Sequence, residues 1–343
     1  RKQGTPYVAF VPLVQRGGKY QKLVSFMLKV ESHEVARGRA MASASTSASE
    51  IYASTSVLAT GRWAKIRVPS TGIYQLTDAL VRKAGFSDIN KVKVYGYGGG
   101  MQPERLTADY LRRTDDLSEV PTCTVGGKRL FYAVGPVTWG SNTAASRTRN
   151  PYSDYGYYFL TENDTAPQTI SEDDFKTSCY PAADDYHSLY EVDDYAWFHG
   201  GRNLYDSRLF GVGVQHSYQL AAVAGSSGQL AVALTYDAAF EAQVLLNDSL
   251  LTTVRVSSSL DKYSKAGLVT RTFTLDARLQ ETNTVTIKQV SGGNLRLDNI
   301  VLQFNTPMPF PDLSTATFGV PEYVYNITNQ DHHADTAVDM VII

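Results

Sequence analysis

In His216–Val256, HSYQLAAVAGSSGQLAVALTYDAAFEAQVLLNDSLLTTVRV, apolar side chains recur at every second position. Tyr218, Leu220 and Ala222 share one parity. Leu230, Val232, Leu234 and Tyr236 follow, then Phe240, Ala242, Val244 and Leu246, then Leu250, Val254 and Val256. A period of two belongs to strands with one buried face. Asn247-Asp248-Ser249 supplies the turn between the last two. The pattern continues through Val269, Phe273 and Leu275, through Val285 and Ile287, and ends on Ile300, Leu302 and Phe304. Seven one-sided strands joined by short turns need a second sheet over their apolar faces, so the reading is an antiparallel sandwich with jelly-roll topology over residues 201–305. Leu295 and Leu297 stand on the opposite parity to Ile300, which predicts a bulge or crossover near Asp298-Asn299.

Upstream, Gly61–Gly100 reads GRWAKIRVPSTGIYQLTDALVRKAGFSDINKVKVYGYGGG. Trp63–Val68 alternates as a strand, Pro69–Gly72 turns, and Ile73–Leu76 returns. Thr77 can cap a short helix, with Leu76 and Val81 as its hydrophobic staple. Asp78 at the start and Arg82 and Lys83 at the end match the helix dipole, and Gly85 suits the left-handed stop. Val92–Tyr95 is a third strand running into Gly96–Gly100. That glycine run is not a phosphate loop, because Met101-Gln-Pro-Glu follows where Gly-Lys-Ser/Thr and a helix are required. It reads as a bend where backbones pack closely.

The remaining organisation follows from composition. Residues 1–32 form a hairpin turning at Gln15–Gly18. Residues 33–60, rich in Ala and Ser, read as a linker or exposed loop. Residues 61–165 form a β-rich domain with one short helix, a helical turn near Leu106–Leu111, and further strands at Val120–Val125, Leu130–Val134 and Tyr155–Leu160. Gly140–Asn150 reads as a polar surface loop. The aromatics of this domain, among them Phe131, Tyr132, Trp139, Tyr155, Tyr157, Tyr158 and Phe159, suit a sheet core better than a sugar platform. Residues 166–200 cross to the sandwich. Their Asp184–Asp194 stretch carries five carboxylates and His187. It lacks the glycine and spacing of an EF-hand and reads as a solvated acidic face. Residues 306–343 hold four prolines, at 307, 309, 311 and 321, and read as an extended connector. They end in Val338–Ile343, an apolar β-prone segment.

Bulk properties narrow the function classes. A net charge of −2 over 343 residues argues against a nucleic-acid partner. No apolar run has transmembrane-helix length. The first residue is Arg rather than Met, which fits a processed or truncated product. Abundant Tyr, Ser, Thr and Asn suit an exported β protein. Cys123 and Cys179 are too few and too distant in sequence for a metal site; they are one disulfide or two free thiols. Neither has a histidine at a recognisable dyad spacing, although Cys179 precedes His187 by eight residues. There is no Gly-x-Ser-x-Gly elbow and no His-Glu-x-x-His. Asp331-His332-His333-Ala334-Asp335 has metal-ligand residue types, but adjacent histidines on an extended chain point to opposite sides. No catalytic, cofactor-binding or metal-ligating residue is assigned, and no cofactor is expected.

WAKIRVPSTGIYQLT at 63–77, KVKVYGYGGGMQPE at 91–104, Arg129–Pro136 with Trp139, and Asn150–Thr161 occur in an order that resembles the N-terminal region of the type IX secretion system sortases. Val338–Ile343 resembles the first strand of their catalytic domain. These are outer-membrane, gingipain-like cysteine peptidases with a long non-catalytic region ahead of the catalytic domain. The resemblance implies a parent enzyme that removes C-terminal signal domains and joins cargo to anionic lipopolysaccharide through a thioester. It implies that the catalytic Cys and His lie beyond this chain. It also implies docking to an outer-membrane β-barrel shuttle protein and other attachment-complex components at the cell surface. A carbohydrate-binding sandwich is the alternative expectation, since a fold of this type does not fix function.

Overall fold

A computed structural model of the chain describes residues 13–22, 52–198, 203–257, 260, 264–276 and 279–328. The chain divides into two units, 1–47 and 48–343. Of the first, the described part is a hairpin, β1 (Leu13–Arg16) and β2 (Lys19–Lys22), joined by Gly17-Gly18. The rest of the expected hairpin, most of the Ala/Ser-rich segment, Asp331–Asp335 and Val338–Ile343 lie outside the described residues.

The second unit begins with a short 3-10 turn, Val57–Ala59. The end of the expected linker is tied down rather than loose. The Ala53 N–H donates to Asp115 (2.6 Å), and Ser56 Oγ and the Val57 N–H donate to Asp116 (2.8 and 2.7 Å). The strands and helices that follow are β3 (Arg62–Val68), β4 (Gly72–Leu76), α1 (Asp78–Lys83), β5 (Val92–Gly98), α2 (Ala108–Arg113), β6 (Glu119–Val120), β7 (Cys123–Val125), β8 (Lys128–Ala133), β9 (Val137–Trp139), β10 (Arg147–Arg149) and β11 (Gly156–Glu162). Next come α3 (Glu172–Cys179), β12 (His187–Glu191), β13 (Gln215–Ala221), β14 (Gly228–Tyr236), β15 (Phe240–Leu246), β16 (Ser249–Val256), β17 (Gly267–Leu275), β18 (Thr282–Gly292), β19 (Leu295–Phe304) and β20 (Glu322–Thr328).

The molecule is mainly β, as the alternation predicts. Two four-stranded sheets, ordered β12-β19-β14-β17 and β13-β18-β15-β16, face each other. This is the jelly-roll winding, in which the first strand pairs with the last and the second with the next to last. Its core is a single cluster that includes Leu230, Val232, Leu234, Phe240, Val244, Ile287, Leu302 and Phe304. The parity break near Asp298 is a bulge. Ala233 pairs with Asn299 and Leu234 with Leu297, so Asp298 is left over and Leu295 and Leu297 turn back into the core. A second bulge corrects the reading of β16. Leu245 pairs with Leu250 and Val244 with Thr252, so Leu251 packs on the core while Leu250 is 54% exposed.

The sandwich also differs in extent from residues 201–305. Its eighth strand is β12, hidden in the acidic stretch and paired along its whole length with β19. The crossing segment before it contains α3, which sequence reading missed; Ser171 caps it through the Asp174 N–H, and three acidic residues occupy its first turn.

A five-stranded sheet, β20-β3-β11-β5-β6, and a three-stranded sheet, β4-β8-β7, enclose the second core together with α1. The helix has the expected terminators. Thr77 accepts from the Leu80 N–H, Gly85 sits at φ +80°, and the Phe86 N–H returns to the Val81 carbonyl. The glycine run packs backbone on backbone: a Cβ at Gly98 would lie 2.5 Å from the Val134 oxygen, and one at Gly99 would lie 2.8 Å from Gly156 Cα. The connector does not simply run over the surface. Its residues Glu322–Thr328 form β20, which pairs antiparallel with β3. The last described strand and the first strand of this unit are therefore neighbours in one sheet.

Candidate functional site

The charged residues of Asp184–Asp194 do not form a solvated face. Arg147 and Arg149, two apart on β10, project toward Glu191 and Asp193, two apart at the end of β12. Arg147 makes a two-pronged contact with Glu191, whose side chain is 2% exposed. Its guanidinium is also 3.8 Å from Asp298, the bulged residue of β19. Arg149 pairs with Asp193 (2.5 Å) and Asp154 (2.8 Å), and lies 3.8 Å from Glu191. Two guanidiniums thus serve four carboxylates. Burial pushes Glu191 and Asp298 above the ordinary carboxylate range, and burial with the neighbouring Glu191 charge pushes Asp193 up to about 6. A cleft of about 580 Å³ opens beside this network, lined in part by Glu104, Asn150, Leu204, Tyr205 and Leu268.

The network belongs to a strap. Residues 137–149, expected as an exposed polar loop beyond Trp139, form the hairpin β9–β10 and lie against the jelly roll. Trp139 stacks on His187 at 4.0 Å between ring centres and donates to Asp184 (3.2 Å). The two ring nitrogens of His187 face the Ala183 and Ala144 carbonyls (2.5 and 2.8 Å). Gln303 donates to the Asn142 carbonyl (3.1 Å). Asp185 accepts from the Ala182 N–H, and Asp194 accepts from Ser207. Each carboxylate of the stretch has a specific partner. The signal that could have shown this is the matched period of two, Arg-Thr-Arg against Glu-Val-Asp.

Cys123 and Cys179 are free and buried in one apolar cluster with Leu130, Phe175 and Leu313. Burial raises both thiols, Cys179 to about 11, and Cys179 Sγ donates to the Phe175 carbonyl (3.1 Å). A buried protonated thiol is a poor nucleophile. His187 is held by Trp139 and two carbonyls, so the structure does not assemble a Cys–His pair from it. Among the described residues, no cluster of His, Cys, Asp or Glu is arranged to hold a metal.

The aromatics divide as their parity dictates. Phe131 and Tyr158 are in the core, 5.7 Å apart edge to face. Tyr157 and Tyr325 flank Lys65 on the outer side of the five-stranded sheet, with its ammonium 4.0 Å and 5.5 Å from the ring centres. Arg67 lies 4.0 Å over Tyr155 and pairs with Glu322 on β20 (2.8 Å).

No protein-family model matches the chain, and no curated protein sequence matches it. Among solved structures, dimeric latent PorU from Porphyromonas gingivalis is 31% identical, covering 74% of this chain and 25% of its own, with a TM-score of 0.55. The fold is therefore PorU-related, and the chain spans about a quarter of the PorU chain it matches. A family 35 carbohydrate-binding module from an environmental isolate is 20% identical over 36% of this chain and 91% of its own, with a TM-score of 0.25. Another from Clostridium thermocellum is 14% identical over 34% and 87%, with a TM-score of 0.22.

Proposed function

We propose that this chain is a non-catalytic N-terminal region of an outer-membrane type IX secretion system sortase, and that it positions the peptidase domain and docks partners. The observation that carries this reading is the exit strand. β20 is hydrogen-bonded into the same sheet as β3, so whatever follows Thr328 departs from a fixed point on a packed sheet rather than from a free linker. The strap supports it, because ionic, stacking and amide contacts fasten residues 137–149 to the jelly roll and make the unit stiff enough to orient a neighbour. The PorU likeness supports a PorU-related parent; in this proposal that parent is a gingipain-like cysteine peptidase that removes C-terminal signal domains and transfers cargo to anionic lipopolysaccharide. Its partners would be an outer-membrane β-barrel shuttle protein and other attachment-complex components, at the cell surface. The buried thiols fit a region that leaves the chemistry to another domain.

Carbohydrate binding ranks second. Tyr155, Tyr157 and Tyr325 offer rings on one sheet face, but Arg67 and Lys65 already lie over them. Two assays test the leading proposal. The chain alone, given a substrate ending in a C-terminal signal domain, should yield neither hydrolysis nor transfer; turnover abolished by Cys123→Ala or Cys179→Ala would overturn the non-catalytic reading. The chain immobilised on a surface should retain the separately produced barrel component, and failure to do so would remove the docking role.

A further inference from the structure

A second cavity, of about 310 Å³, lies away from the ionic cleft, where β4, the end of α3 and the 183–186 turn meet connector residues 310–318. Tyr132, Tyr180, Phe310 and Phe318 line it, and so do Asp184 and Asp185. The Tyr180 and Phe310 rings are 5.2 Å apart. Among the described residues, neither carboxylate has a cationic partner. Asp184 accepts from Trp139 Nε1 (3.2 Å), and Asp185 accepts from the Ala182 N–H (2.7 Å). Burial pushes both carboxyls above their ordinary range.

Two lysines lie beside the cavity without lining it. Lys128 donates to the Ser314 and Ala316 carbonyls (2.8 and 2.7 Å) and lies 5.8 Å from the Phe318 ring centre, and Lys176 lies 5.5 Å from the Phe310 ring centre; among the described residues, the Tyr132 and Tyr180 rings carry no such cation. Among the described residues, no basic side chain lines the cavity. The Tyr132 hydroxyl accepts and donates no hydrogen bond within the described residues, and it senses both carboxylates electrostatically.

Ring faces beside uncompensated carboxylates complement one kind of ligand. A cation gains from the ring quadrupole and from the two carboxylates together, whereas an anion would be repelled and a neutral apolar group would leave the carboxylates unpaired. The volume is at the small end of ligand sites. We propose that this cavity binds an organic cation, a guanidinium or ammonium group on a short alkyl arm.

The test is titration calorimetry of the whole chain with N-acetyl-arginine amide, N-acetyl-lysine amide, agmatine and, as the neutral isostere, N-acetyl-citrulline amide. The expected result is saturable binding of at least one cation, at least tenfold tighter than citrulline amide, and weakened at least tenfold in Asp184→Asn/Asp185→Asn. Asparagine keeps the acceptors that Trp139 and Ala182 use, so that variant removes charge and leaves the hydrogen bonds. If it does not fold, the unsubstituted chain decides, because 1 M NaCl should weaken cation binding and leave citrulline amide unaffected. Tighter binding of the blocked amino acids than of agmatine identifies a partner's side chain as the source of the cation; the reverse identifies a free amine. Equal binding of arginine and citrulline amides, or cation binding that neither the double variant nor salt alters, would overturn the proposal.

Discussion

Arg147→Met removes the guanidinium facing Glu191 and leaves a carboxylate whose side chain is 2% exposed. That carboxylate must stay charged without its main partner or take up a proton. Breaking a buried pair by removing one member costs roughly 3–5 kcal/mol. Protonation sets a ceiling: at about 1.36 kcal/mol per unit, bringing a glutamate of ordinary value near 4.3 to neutrality at pH 7 costs about 3.7 kcal/mol. Arg149, 3.8 Å from Glu191, remains and lowers the loss. The expected destabilisation is about 2–3 kcal/mol at pH 7. At pH 5 the protonation ceiling falls to about 1 kcal/mol, so the loss should shrink by more than half. Denaturant unfolding at both pH values measures this, with Arg147→Met/Glu191→Gln alongside. The double variant should recover most of the loss at pH 7, because no charge is left stranded. An equal loss at pH 5 and pH 7, or no recovery in the double variant, would refute the reasoning.

Other outcomes follow from the same contacts. Asp193, raised to about 6, binds its proton more readily in the folded state, so its contribution to stability is present at low pH and is lost as pH rises through about 6. Asp193→Asn should therefore gain stability relative to the unsubstituted chain between pH 4 and pH 7, and parallel denaturation curves across that range would count against the assignment. Gly85→Val should destabilise by about 2 kcal/mol: a left-handed β-branched residue costs about 1–2 kcal/mol, and its Cβ would overlap the Arg62 guanidinium that donates to the Gly85 carbonyl. An unchanged unfolding midpoint would argue against the left-handed helix stop. Cys123 and Cys179 should react slowly with a thiol reagent in the folded chain and titrate as two thiols once it is unfolded without reductant. Absence of free thiols in the unfolded, unreduced chain would instead show a disulfide.

What was legible in the sequence was local. α1 carries its cap, staple, dipole charges and left-handed stop within Leu76–Phe86, and each device works through neighbouring atoms. The jelly-roll strands announce themselves because one face of each meets the core and the other meets water. Even the Asp298 bulge left a trace, as a parity break between Leu297 and Ile300.

What was not legible depended on distant partners. β12 reads as acidic loop because Glu191 is buried against Arg147, which is 44 residues away. β10 reads as polar loop for the reciprocal reason. Leu250 has the parity of its strand but not its burial, because Leu251 is an extra residue in the pairing with β15 and shifts the parity of β16. The prolines before β20 suggest a connector, and nothing within Glu322–Thr328 says that β3 lies beside it. The candidate site has the same character: Asp184 and Asp185 look solvated until the aromatic residues of a remote connector close around them.

Amide hydrogen exchange across Glu322–Thr328 tests the positioning role most directly. If β20 is part of the sheet, amides bonded to β3 open only with that sheet, and their protection should approach that of β3 and β11. Protection of Glu322–Thr328 within about tenfold of β3 is the result this account predicts. Exchange at the rate of an open chain, while β3 and β11 stay protected, would contradict it, because the peptidase domain proposed to follow would then hang from a loose tether and this region could not position it.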